Sequence, residues 1–265
     1  MISSKVAVLG CGNIGMAVIE GILKSKGIKP VDIVATRRNI NASITLKESG
    51  VRLSTDNTAA VKESEIIIIA VKSYNFSGVL EEIREYLDPE KHIIVSLTTG
   101  ITIDRIMIET GNKVPVFRAM PNISASVGSS VTCISHSSNA KSKVQQVKEL
   151  FEFIGTAMII DEDLMESATI LGSCGVAYVL RFIRAMIQGG IQIGFDAATA
   201  SLIVNQTVKG AADLLIEKHR HPEYEIDRVT TPKGCTIVGL NEMEHNGFSS
   251  SLIKGIVASF EKIEK

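Results

Sequence analysis

The chain is poor in cysteine. Among its 265 residues only Cys11, Cys133, Cys174 and Cys235 occur, far apart, with no CxxC pair and no cysteine–histidine cluster. This excludes the ligand spacing of a structural zinc site and the dense pattern of a disulfide framework, and it fits a reducing compartment. Charge of one sign is lacking too: 28 Lys and Arg face 29 Asp and Glu, a net of −1. Such a balance gives no general attraction to nucleic acid or to an anionic membrane. The longest uninterrupted apolar run, Ile66 to Val71, falls far short of the ~20 residues a membrane-spanning helix needs. Met1 to Lys5 leads straight into an apolar strand pattern without a secretory-type leader, so the expected location is the cytoplasm. No internal repeat and no low-complexity tract is visible. With 45% hydrophobic and 22% charged residues, the composition is that of an ordinary soluble protein, long enough for one large or two moderate domains of about 100–200 residues each.

What the first half does contain is an alternation of strands and helices. Val6 to Leu9 is short and continuously apolar, as a strand buried on both faces would be. A helical stretch, Met16 to Lys24, follows, and then a strand at Asp32 to Thr36, a charged helical segment around Ile40 to Ser49 and a short strand at Val51 to Leu53. A helix at Asn57 to Glu63 leads into the strand Ile66 to Val71. Val79 to Tyr86 leads into His92 to Leu97, and Ile103 to Thr110 precedes Val114 to Asn122. Such alternation implies a doubly wound parallel sheet, with ligands bound beyond the carboxyl ends of its strands.

Between the first strand and the first helix stands GCGNIG: Gly10, Cys11, Gly12, Asn13, Ile14 and Gly15. Glycine-rich turns also occur without a ligand. Here the motif follows a strand, opens a helix and precedes a second strand at the distance of a βαβ unit, the setting of a Rossmann dinucleotide site. Gly10 would make the tight turn, Gly12 admit a pyrophosphate to the backbone, and Gly15 let helix pack on strand. The exposed N–H groups of the helix start would hold the anion. The second strand ends in Thr36, Arg37, Arg38 and Asn39, with no carboxylate for a ribose 2′-hydroxyl. Two adjacent guanidinium groups suit a 2′-phosphate, and hence NADP(H), because they form bidentate charge-assisted bonds. A solvated loop carrying two arginines is the alternative.

From about Glu162 the strand pattern stops. Val176 to Ile193 and Ala197 to Glu217 are long and mostly apolar, and the second is thick with Ala197, Ala198, Ala200, Ser201, Gly210, Ala211 and Ala212. Its apolar positions wrap most of the circumference, so it is expected to be buried on nearly all sides. A segment of this size has little core of its own to cover it, and burial against a second subunit is the economical explanation.

Several blocks, in order and nearly end to end, resemble the pyrroline-5-carboxylate reductase family. The family's AVKP appears as Ala70 to Ser73, its MPNTP as Met120 to Ser124, and its SGSGPAY as Gly172 to Tyr178. Its TSPGGTT or VTPGGTT loop appears as Thr230 to Thr236, followed by Gly247 and Phe248 and a final helix. The departures are Ser124 and Val176 for prolines, Lys233 for the first glycine of PGG, and Cys235 before Thr236. The resemblance implies an N-terminal Rossmann domain at residues 1–160 and an all-α dimerisation domain at 161–265, assembling as a homodimer or a ring of dimers. It implies reduction of 1-pyrroline-5-carboxylate to L-proline, with NADPH preferred and NADH possible.

Residue by residue, the resemblance gives Gly10 to Gly15 to the pyrophosphate. Thr36, Arg37 and Arg38 go to the 2′-phosphate end, and Asn57 to the adenosine ribose. Ala70, Val71, Lys72, Thr98 and Thr99 line the nicotinamide side. Met120, Pro121 and Asn122 approach nicotinamide and substrate. The N–H groups of Gly234, Cys235 and Thr236 would cradle the substrate carboxylate, and the Thr236 hydroxyl would meet the imine nitrogen. Lys233 is either a cation beside that carboxylate or a solvent-facing lysine in a turn. The chemistry asks little more, since a protonated cyclic imine already accepts hydride and needs alignment and exclusion of water. The five histidines show no triad or metal spacing, and no metal is expected. A related cyclic imine, or cofactor binding without turnover, are the alternatives. A β-hydroxyacid dehydrogenase would need a lysine early in the helical half, and Leu171 to Val208 contains none.

Overall fold

The computed structural model describes residues 4–39, 44–111 and 113–263. Eight strands form one sheet: β1 (Val6–Leu9), β2 (Ile33–Thr36), β3 (Arg52–Ser54), β4 (Ile66–Ile69), β5 (Ile93–Ser96), β6 (Val116–Met120), β7 (Ser130–His136) and β8 (Gly155–Ile159). Their spatial order is β3-β2-β1-β4-β5-β6-β7-β8. The central strands β1 and β4 are apolar and buried at every position because both faces are covered. Val6, Val8, Ile66 and Ile68 point into a core closed by α1 (Asn13–Ser25) and α6 (Val144–Glu152). Ala7, Leu9, Ile67 and Ile69 point into a second core, closed by α3 (Asn57–Glu63), α4 (Ser73–Ile83) and α5 (Ile103–Glu109). The strand order reverses between β2 and β4, on either side of β1, and this puts a crevice at their carboxyl ends.

Two strands are absent from the sequence reading. β7 holds Ser130, Thr132 and Ser135, all buried, so it shows neither an apolar run nor an alternation. β8 is only partly covered. The sheet is also not wholly parallel. β7 runs antiparallel to β6, because the connection from Pro121 to Ser129 is a short 3₁₀ turn closed by Gly128 at φ 76°, with no room for a crossover helix. The charged helix expected from Ile40 to Ser49 is present as α2 (Ile44–Glu48), and residues 40–43 lie outside the described residues.

Residues up to Val176 form one compact unit and Ala177–Lys262 a second; the sequence reading put the division at residue 160. The first helical turns after Glu162 belong with the sheet because β6 holds them. Arg118, with a side chain only 2% exposed, pairs with Glu162 at 3.0 Å and Glu166 at 3.1 Å. Glu162 also accepts the Ile103 N–H at 2.7 Å. After α7 (Met165–Ala168), residues Thr169–Cys174 form a π-helical turn, and α8 (Gly175–Gln192) continues from it. The helical run Glu162–Gln192, 31 residues with a mean hydropathy of 1.6 in its most apolar stretch, is long and apolar enough to cross a membrane. It is not an unbroken apolar run, because Arg181 and Arg184 interrupt the pattern.

The second unit consists of most of α8 with α9 (Ala197–Lys218), α10 (Pro222–Val229), α11 (Cys235–His245) and α12 (Phe248–Ile263). Asp196 caps α9 by accepting the Ala198 and Thr199 N–H groups, and Pro222 starts α10 where its missing N–H costs nothing. Tyr178 donates to Ser259 at 2.7 Å, and the Phe182 and Phe248 rings lie 6.0 Å apart. Core is scarce: only Ala200 and Val204 are buried among this unit's described residues, and within a single chain α9 leaves Leu202 72% exposed.

Replacing Arg118 by Ala should leave two carboxylates facing each other without their cation. Because Glu162 and Glu166 keep 30% and 25% side-chain exposure, the expected loss is about 2–4 kcal/mol, at or below the usual cost of breaking a buried pair. Urea unfolding measures it. A loss under about 0.5 kcal/mol would class the cluster with exposed ion pairs.

Candidate functional site

A cleft of about 1100 Å³ opens at the carboxyl ends of β1, β2, β4, β5 and β6, entirely within the first unit. Its floor is the turn between β1 and α1. The Gly10 and Cys11 N–H groups both donate to the Thr36 carbonyl at 3.1 Å, which ties β1 to β2. Gly10 sits at φ 99°, and a Cβ there would lie 2.8 Å from the Ala70 carbonyl oxygen. A Cβ on Gly15 would lie 2.3 Å from the Gly10 carbonyl oxygen, so this glycine lets α1 pack on the turn. Gly12 differs: its φ is −80° and nothing lies within 4 Å of the place a Cβ would take. The helix start has no side-chain cap and no acid in its first turn. The Asn13, Ile14 and Gly15 N–H groups precede the first intrahelical bond, Met16 N–H to Gly12 O, and make an anion cradle.

Of the sequence-predicted residues, Gly10, Cys11, Gly12, Asn13, Ile14, Thr36, Arg37, Arg38, Asn57, Ala70, Val71, Lys72, Thr98, Thr99, Met120 and Pro121 line this one cleft. Some of them are committed to structure. Burial pushes the Cys11 thiol up to about 11, against the pull of Arg37, so it stays a neutral wall. Thr98 donates its hydroxyl to the Val71 carbonyl at 3.0 Å. Among the described residues, no group of three or more His, Cys, Asp or Glu converges as a metal set would. Glu82, Tyr74 and Ser173 also line the cleft. They lie on helices, where no strand-end rule points to them.

Three expected roles change. Asn122 does not line the cleft. It is buried, its Oδ1 accepts the Ser124 N–H at 2.9 Å, and its Nδ2 donates to the Gly172 carbonyl at 2.8 Å. It fastens the π-helical turn, which carries Ser173, to the sheet. In the second unit, Gly234 is not an available donor: its N–H closes the turn on the Thr231 carbonyl at 2.9 Å. A Cβ there would lie 2.5 Å from Thr231 Oγ1, so the position needs glycine for space. The expected loop is also shorter than read, since Cys235 and Thr236 open α11, with Gly234 as its N-cap. The first-turn donors are therefore Cys235, Thr236 and Ile237. Lys233 is exposed and holds φ 61°, a left-handed conformation that glycine adopts freely and lysine with strain.

A family model described as pyrroline-5-carboxylate reductase dimerisation matches residues 162–265, and one described as NADP oxidoreductase, coenzyme F420-dependent, matches residues 5–100. Pyrroline-5-carboxylate reductase 1 of Dictyostelium discoideum is 44% identical over 97% of this chain, which spans 49% of that relative's length. Pyrroline-5-carboxylate reductase 2 of the same organism is 40% identical, over 99% of this chain and 93% of its own. The crystal structure of Plasmodium falciparum pyrroline carboxylate reductase with NADP bound aligns with a TM-score of 0.90 at 25% identity, covering 99% of this chain and 98% of that one.

Gly12 separates fold from binding. Gly12→Ala fits the local backbone and space, so stability should change by less than about 1 kcal/mol. The methyl group would stand where a pyrophosphate approaches, and dinucleotide affinity should fall by at least roughly tenfold. Thermal unfolding and a cofactor titration on the same variant check both halves. Unchanged affinity would show that the cradle is not the phosphate site.

Proposed function

The chain belongs to the pyrroline-5-carboxylate reductase family, and we propose from that premise that it reduces 1-pyrroline-5-carboxylate to L-proline with NADPH. One observation of the structure carries the reading. At the sheet's switch point a helix start with unspent N–H groups and an open approach over Gly12 lies in the same cleft as Arg37 and Arg38. These residues fit a dinucleotide phosphate in charge, donor supply and space. The cofactor, when bound, supplies the hydride.

The remaining steps belong to the protein. Ala70, Val71, Lys72, Thr98 and Thr99, with Met120 and Pro121, form the wall of the cleft opposite the arginine end. We assign them to holding the reactive ring and excluding water from it. The substrate carboxylate is assigned to the first-turn N–H groups of α11, Cys235 and Thr236 with Ile237, where the helix dipole favours an anion. The Thr236 oxygen accepts a hydrogen bond from the protonated ring nitrogen. Hydride adds to the carbon of the C=N bond, the π electrons settle on nitrogen, and the product is a secondary amine. One proton enters with the iminium and two electrons with the hydride, so no side chain is needed as a strong acid. We further propose a homodimer built through the helical unit, with a ring of dimers as its higher assembly. The four unpaired cysteines support a cytoplasmic location.

Following reduced-nicotinamide oxidation with the cyclic imine tests this function, and no turnover by the intact protein would refute it. Thr236→Val keeps the shape and removes the hydroxyl. With cofactor saturating, kcat/KM should fall roughly ten- to a hundredfold, the cost of a hydrogen bond to a charged partner, while cofactor affinity stays unchanged. Unaltered efficiency would leave the loop binding by backbone alone.

A further inference from the structure

β2 ends without a carboxylate, yet the same end of the cleft has one. Glu82, on α4, lines it together with Thr36, Arg37, Arg38 and Asn57. Its position is fixed by a short relay. The Thr36 hydroxyl donates to Asn57 Oδ1 at 2.6 Å, and Asn57 Nδ2 donates to Glu82 Oε2 at 2.8 Å. Thr36 is buried at the strand end, so the relay runs from the rigid sheet through a fixed amide to the carboxylate. One lone pair of the Asn57 oxygen and one of its amide hydrogens are thereby used within the protein.

A carboxylate and a guanidinium pair ask opposite things of the same ligand region. The carboxylate accepts hydrogen bonds from ribose hydroxyls and repels a 2′-phosphate, whereas the arginines attract that phosphate. We infer that Glu82 is a specificity-determining residue for the cofactor, opposing the 2′-phosphate and supporting the ribose diol. The NADPH-to-NADH ratio is then set by the balance of Glu82 against Arg37 and Arg38, which keeps both cofactors usable in one cleft. The inference rests on the dinucleotide reading of the cleft given above. It also gives Asn57 a second task, since the residue that orients Glu82 can offer the ribose one remaining amide hydrogen and one remaining oxygen lone pair.

Glu82→Gln tests this directly. The glutamine carbonyl still accepts from Asn57, so the relay survives and only the charge is lost. Dissociation constants for NADPH and NADH are measured by titration, without imine, for the intact protein and the variant. The affinity ratio should move toward NADPH by roughly three- to tenfold, the size expected for one charge acting on a phosphate across partly solvated space. The shift should shrink at high salt. A ratio that stays fixed, or moves toward NADH, while both cofactors bind would overturn the role of Glu82 and leave the cleft assignment standing. Failure of the intact protein to bind either dinucleotide would overturn both.

Discussion

The constraint on which the structure depends is the lack of a core in the helical unit. Residues 177–262 expose Leu180, Phe182, Ile193, Leu202, Ile216 and Ile253 among others, and among the described residues bury only Ala200 and Val204. Each large aliphatic or aromatic side chain taken out of water contributes about 1.5–3 kcal/mol. Leaving a set this large in solvent forfeits an amount comparable to the whole net stability of a typical domain, about 5–15 kcal/mol. Contiguous apolar surface on this scale marks a protein or lipid contact. The run Glu162–Gln192 is long and apolar enough for lipid, but Arg181 and Arg184 would stand well inside such a span, at ~2.5–3.5 kcal/mol each near its centre. The match of residues 162–265 to a dimerisation region argues instead for a second copy, whose same helices present the same surface.

The sheet unit carries no such demand. Its two cores are closed on both faces by its own helices, and its cleft is built from strand ends and one helix start. The two units thus do different work. The sheet unit covers its own cores and supplies the dinucleotide cradle; the helical unit leaves large apolar side chains exposed and supplies α11, the proposed anchor of a small carboxylate. Within the sheet unit, polar side chains hold the start of the helical run. Arg118 holds the first turns of the helical run to β6, and Asn122 holds the π-helical turn next to the cleft.

What could be read in the residues follows from whether a local rule marks them. β1, β4 and β5 are continuous apolar runs with two covered faces, and the GCGNIG turn sits where strand meets helix, so the sheet and most of the cleft were legible. β7 was not, because its buried side chains include Ser130, Thr132 and Ser135, whose pairing is settled by tertiary context. Asn122 is a ligand group only by resemblance, and in the structure its amide donates to Gly172 and accepts from Ser124. Gly234 looked like a donor, and its N–H belongs to the turn. Glu82 was silent because a helical glutamate carries no signature until the fold sets it beside Asn57. Lys233, where the resemblance has the first glycine of PGG, holds a left-handed φ of 61° that would suit glycine better.

The proposed homodimer requires that the helical unit be stable only when its apolar helices are covered by a second copy of the chain. Light scattering across a wide dilution series of the intact protein tests it most directly. Every folded, active species should have at least twice the 28.5 kDa chain mass, and dilution to monomer should bring loss of helical structure and of activity together. A stable, fully active species of 28.5 kDa would contradict it.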